Sequence, residues 1–115
     1  MVEIREVDDS YRDFVGEKMA KVSDEYTDED LELAFNLEHI IIASFIDGEI
    51  VGFCLLLKPV TEYYVAYTWS KETLEAKKAF IKGIRYLVKN YPDIQFAGEK
   101  EPVMYRAYLK EKGRI

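Results

Sequence analysis

YYVAYTWSKETLEAKKAFIKGIRYLVKNYPDIQFAGEKEPVMYRAYLKEKG, residues 63–113, decides the fold of this 115-residue chain. A β-rich run, EYYVAYTW at 62–69, leads into a helix in which Leu74, Phe80, Ile81, Ile84, Leu87 and Val88 trace one apolar face. Lys77, Lys78, Lys82, Arg85 and Lys89 lie mostly opposite or beside that face, and Ser70 is the expected cap. The NYPD segment at 90–93 breaks the helix, because proline disfavours helical geometry in the residue before it. A short strand over 94–97 follows. Pro102 then stands at the first turn of a helix running to about Lys112, with Gly113 placed to stop it.

Working outward toward the amino terminus, the next feature is a hairpin. Residues 40–46 (IIIASFI) and 49–57 (EIVGFCLLL) are β-rich runs joined by Asp47 and Gly48, the pairing that suits a two-residue type I′ turn. Both faces of these strands are apolar, which places them in the centre of a sheet covered on both sides. VEIREV at 2–7 alternates apolar and polar residues and reads as a half-buried strand. Ser10 is expected to open a helix with Tyr11, Phe14, Val15, Met19 and Val22 on its buried stripe. A second short helix follows Thr27, where TDED resembles a capping box, and Leu31, Leu33, Ala34 and Phe35 form its contact surface.

Length and composition bound the function. The chain is one domain long, 49% hydrophobic and 33% charged, with no apolar run approaching a membrane span. MVEIREVDDS has neither a basic region nor an apolar signal core, so a cytoplasmic site is expected. The net charge of -6 is uneven: 15 Asp and Glu face 4 Lys and Arg over residues 1–50, against 7 and 12 in the remainder. Such a split argues against a sequence-independent nucleic-acid binder and leaves room for one local anion site. Cys54, the single cysteine, lies in the apolar run FCLLL and reads as a buried bystander. His39, the single histidine, has no nearby Ser or Cys motif and reads as a strand-entry residue. No metal-ligand spacing occurs.

The resulting order is β-α-α-β-β-β-α-β-α, an α+β fold. With DGEIVGFCLL at 47–56 and RAYLKEKG at 106–113, it resembles the GNAT superfamily, the GCN5-related N-acetyltransferases, over essentially the whole chain. The resemblance implies a mixed central sheet flanked by helices, an acetyl-CoA cofactor, and acyl transfer to an amine. More narrowly, Tyr67-Thr68, the Phe80 to Ile84 helix core, the Tyr-Pro break and the terminal YLKEKG look like divergent acetyltransferase-like proteins of bacteriophages. That likeness implies a binding or structural role with a host or virion partner, and weakened or lost catalysis.

In the family, a glycine-containing turn after the fourth strand holds the CoA pyrophosphate on backbone amides at a helix amino terminus. The corresponding residues here are Tyr67, Thr68, Trp69, Ser70, Lys71 and Thr73, with no glycine, an indole expected in the turn, and Glu72 expected in the first helical turn. Two readings stand: a helix cap without phosphate, and a weakened CoA cradle in which Lys71 meets the anion and backbone amides after Tyr67 meet the pantetheine. The resemblance also implies a tyrosine acid four residues before the helix-ending glycine. Leu109 occupies that position, Tyr108 stands one residue earlier, and Tyr105 is a substitute. One residue on a helix is a rotation of about 100°, so Tyr108 is expected to point elsewhere. Glu62, at the start of the fourth strand, is either a general base or an exposed strand-end carboxylate. After Gly113 only Arg114 and Ile115 remain, so the sheet is expected to be truncated at the C-terminus, with an open edge that favours a homodimer. An unrelated, self-associating α+β module is the third reading.

Overall fold

The computed structural model describes residues 1–22, 24–96 and 102–113, without the side chains at 22, 96, 102–105 and 107. Strands β1 (Val2–Val7), β2 (Glu38–Ile46), β3 (Glu49–Lys58), β4 (Tyr64–Ser70) and β5 (Gln95–Phe96) form one sheet in that order. The first four are antiparallel neighbours, and β5 runs parallel to β4. A parallel neighbour requires a crossover. Helix α3 (Leu74–Asn90) supplies it.

Helices α1 (Arg12–Val22) and α2 (Asp28–Asn36) join β1 to β2, and α4 (Pro102–Lys112) follows β5. Side chains alternate across β2 and β3 as strand geometry requires. Ile41, Phe53, Leu55 and Leu57 pack with Val15, Met19, Leu31, Ala34 and Phe35 on one face. Ile42, Cys54 and Leu56 pack with Ile84, Leu87, Val88 and Tyr108 on the other. The hairpin strands are therefore central and covered on both sides, as their two apolar faces predict. Asp47 and Gly48 have φ of 50° and 84°, the left-handed pair a type I′ turn needs.

The termini of the helices are set locally, with corrections to three expectations. Thr27 and Asp30 form a reciprocal capping box at α2. Ser10 does not open α1. Asp8 caps a short 3₁₀ turn, Asp9–Tyr11, by accepting from the Ser10 amide, and α1 begins at Arg12. Ser70 does not cap α3 either, because it is still paired in β4 opposite Gly52. Thr73 is the cap, its hydroxyl accepting from the Ala76 amide at 3.1 Å. Glu72 thus precedes the helix and Glu75 takes the first-turn position. Leu33, Leu74 and Ile81, expected on buried faces, are exposed; Ala76 and Ala79 bring α3 close to the sheet instead. Ala97, expected to end β5, lies outside the described residues. Gly113 donates its amide to the Leu109 carbonyl at 3.0 Å, closing α4.

Candidate functional site

The site is built on β4. Leu55 pairs with Tyr67 and Leu56 with Val65, so Ala66 has no partner on β3 and bulges. The bulge puts consecutive side chains, Ala66 and Tyr67, on the α1–α2 face, together with Tyr64 and Trp69. It also sets the phase of the backbone beyond it. The Lys71 amide donates to the Val51 carbonyl at 2.9 Å. Because hydrogen-bonding residues alternate along an antiparallel pair, Tyr67 and Trp69 bond toward β3 while the amides and carbonyls of Thr68 and Ser70 point to the opposite edge. Strand β5 pairs only with Tyr64 and Val65. Among the described residues, no strand faces the outward backbone of Thr68 and Ser70.

At the α3 end of this edge, Lys71 forms an ion pair with Glu49 of the hairpin. Thr73 is committed to its cap, and the first-turn amides of α3 follow directly, with Glu75 beside them. Trp69 does not stand in the turn as expected. It lies within β4, edge-on to Phe14 at 5.4 Å between centroids, with Lys18 Nζ 4.8 Å from its ring. The indole is thus part of the α1 contact. On the α3 face, Thr68 and Ser70 border a cavity of about 30 Å³ with Ser44, Cys54 and Gly83, room for about two waters. Gly52, an isolated glycine inside the β3 run, is what lets the strands close here: a Cβ on it would lie 3.0 Å from the Trp69 carbonyl oxygen.

The remaining candidates do not converge on that edge. Glu62 lies in the bend before β4 rather than in the strand, exposed beside an open cleft lined by Tyr63, Tyr91 and Asp93. Tyr108 is 3% exposed, and its hydroxyl meets the carbonyl oxygens of Tyr91 at 3.0 Å and Pro92 at 2.9 Å. Burial, followed by the Asp93 carboxylate, raises its pKa. Tyr105 sits on α4, and its side chain lies outside the described residues. Neither the Ala66 bulge nor the close approach at Gly52 follows from the sequence patterns. The glycine within EIVGF was the available signal for the second; the bulge had none.

Among the described residues, no group of three or more His, Cys, Asp and Glu is placed to hold a metal ion, and no helix is long and apolar enough to cross a membrane. No protein-family profile matches the chain, and no curated protein matches it in sequence. Solved structures match its fold. A possible acetyltransferase from Clostridium difficile 630 superposes with a TM-score of 0.67 at 12% identity, over 98% of this chain and 90% of that one. The aminoglycoside 6'-N-acetyltransferase from Enterococcus faecium gives 0.58 at 21% identity, over 76% of this chain and 52% of the enzyme. An aminoglycoside 6'-N-acetyltransferase complexed with coenzyme A gives 0.57 at 22%, over 76% and 53%. The chain spans about half the length of these two enzymes. At such identities the likeness speaks of architecture alone: the chain has the GNAT fold. None of the three structures bears on a phage origin.

Proposed function

We propose that the protein binds an acyl-CoA thioester along the outer edge of β4 and transfers the acyl group to an amine. One observation carries this reading: the Ala66 bulge and the Lys71–Val51 bond together turn the Thr68 and Ser70 backbone outward, beyond the last residues paired with β5. Those groups suit the amides of a pantetheine arm, which would join the sheet as an extended peptide does. The amino terminus of α3 and Lys71 lie where the pyrophosphate would fall, and a helix start favours an anion. Glu75 in the first turn and Glu49 on Lys71 weaken that end. Calorimetric titration with acetyl-CoA tests the binding, and thiol release in the presence of an amine tests the transfer. Micromolar affinity with amine-dependent thiol is expected. No heat at millimolar acetyl-CoA would overturn the proposal.

A second reading, acyl-CoA binding without transfer, is favoured by Tyr108. Its hydroxyl is bonded to two loop carbonyls, which leaves α4 without an evident acid for the departing thiolate among its described side chains. Affinity without thiol release across a panel of amines would support this reading over the first.

A further inference from the structure

The acceptor's chemistry follows from the same strand, on the strength of the acyl-transfer reading. A pantetheine arm running from the α3 end past Ser70 and Thr68 brings its thioester to the bulge at Ala66 and Tyr67. An amine must then reach it from one face of the sheet. The α3 face is closed there, because Leu56 and Val65 are 0% and 1% exposed and pack with Ile84 and Leu87. The α1–α2 face presents Tyr64, Ala66 and Tyr67, all only half-buried.

Tyr26, just ahead of the α2 cap, stands edge-on to Tyr67 with centroids 5.5 Å apart. Its hydroxyl oxygen is buried and, among the described residues, has no hydrogen-bond partner. Buried hydroxyls without partners are scarce in folded proteins, so this one asks what polar atom from outside would complete it. The surrounding charge gives the sign. Burial, then Tyr67 and the carboxylates of Asp30 and Asp28, push the Tyr26 phenol up to about 12 against the opposing effect of Arg12. Asp30 and Tyr64 act on Tyr67 in the same direction, after burial. The phenols are neutral at physiological pH, and aromatic faces beside carboxylates attract cations.

We infer that Tyr26, Tyr64 and Tyr67 form the acceptor subsite, and that the acceptor is a slim aliphatic diamine. One end, as the ammonium, donates an N–H to Tyr26 Oη. The other, as the free amine, forms the N–C bond at the thioester carbon as the C–S bond breaks, its proton passing through solvent to the departing thiolate. Slimness follows from burial: the Tyr26 oxygen is shielded from solvent with the Tyr67 ring beside it, 5.5 Å between centroids, so only a narrow chain would reach it. Asp28 and Asp30 hold the charge from the α2 end.

Titration with cadaverine, and with the uncharged diol of the same length, tests the subsite without any acyl-CoA. Heat from the diamine and none from the diol is expected. Tyr26→Phe removes one oxygen. It should weaken cadaverine by roughly tenfold to a hundredfold, the worth of one hydrogen bond to a charged group, while the melting temperature holds or rises because an unpartnered hydroxyl is gone. In the transfer assay the same variant should raise KM for the amine and leave KM for acetyl-CoA unchanged. Equal cadaverine affinity in both proteins, or no heat in either, overturns the inference. If acetyl-CoA still binds in that case, only the subsite is lost; if cadaverine binds and acetyl-CoA does not, the transferase reading is lost instead.

Discussion

His39 bridges Asp9 and Leu37, one ring nitrogen facing an acceptor on each. Nε2 lies 2.7 Å from Asp9 Oδ1, and Nδ1 lies 2.7 Å from the Leu37 carbonyl oxygen. Two acceptors call for two N–H groups, which only the imidazolium has. The ring also rests on Phe35, 4.6 Å between centroids. It therefore ties the 3₁₀ turn after β1 to the start of β2 and to α2.

The pKa of His39 is raised: burial works against the charged ring, but the bonds to Leu37 and Asp9 outweigh it. A raised folded-state value contributes stability that is fully present below the unfolded value of about 6.5 and is lost as pH rises through the folded one. The melting-temperature gap between wild type and His39→Gln should therefore be wider at pH 5.5 than at pH 8. A gap that does not change with pH would show that the ring is not charged in the folded protein.

Two glycines should respond to alanine with opposite signs. At Gly52 the added Cβ lies 3.0 Å from the Trp69 carbonyl oxygen, a backbone atom that cannot rotate away, so Gly52→Ala should cost about 1–3 kcal/mol. At Gly83, inside α3, the Cβ meets Ser44 Oγ at 3.7 Å, an ordinary contact, and the helix gains roughly 0.5–1 kcal/mol. Urea unfolding of the two variants measures both. The same direction of change in each would refute the contrast.

Glu49 competes with any anion that approaches Lys71. Both side chains are well exposed, 39% for the lysine and 67% for the glutamate, so the pair itself is weak. Glu49→Gln should tighten acetyl-CoA by no more than about fivefold, the limit set by a surface ion pair. Weaker binding in the variant would mean that the glutamate positions the lysine for the cofactor and does not withhold it.

Tyr108→Phe separates an anchoring role from an acid. Removing the hydroxyl strips one bond from the Tyr91 and Pro92 carbonyls, where Lys112 Nζ also donates to Pro92 at 2.9 Å. Unfolding by urea should show a loss of about 1–2 kcal/mol. Thiol release per folded molecule should stay near the wild-type rate. A large fall in that rate with stability intact would make the hydroxyl the proton donor.

Features closed within a few residues are legible in the chain's own order of amino acids. Asp47-Gly48 announces its turn because those residue types accept positive φ, and Thr27 announces α2 because its hydroxyl and Asp30 satisfy neighbouring amides. The apolar faces of β2 and β3 place them centrally for an equally general reason, since both must be removed from water. The order of elements follows from such local and periodic signals, and the resemblance to the GNAT fold rests on that order.

The outer edge of β4 is another matter. Ser70 has the chemistry of a helix cap, but Gly52 lies opposite it and Val51 takes the next amide, so the strand runs on and Thr73 caps α3. The Ala66 bulge, the commitment of Tyr108 to the Tyr91 and Pro92 carbonyls, and the unpartnered Tyr26 hydroxyl arise the same way. Each depends on which residues meet across distant segments. Sequence by itself determined the elements and the general direction of the faces they bury, Leu33, Leu74 and Ile81 excepted, because propensity and hydrophobic period act within a segment. Tertiary structure alone decided register, and register decides which backbone amides and which hydroxyls are left for a ligand.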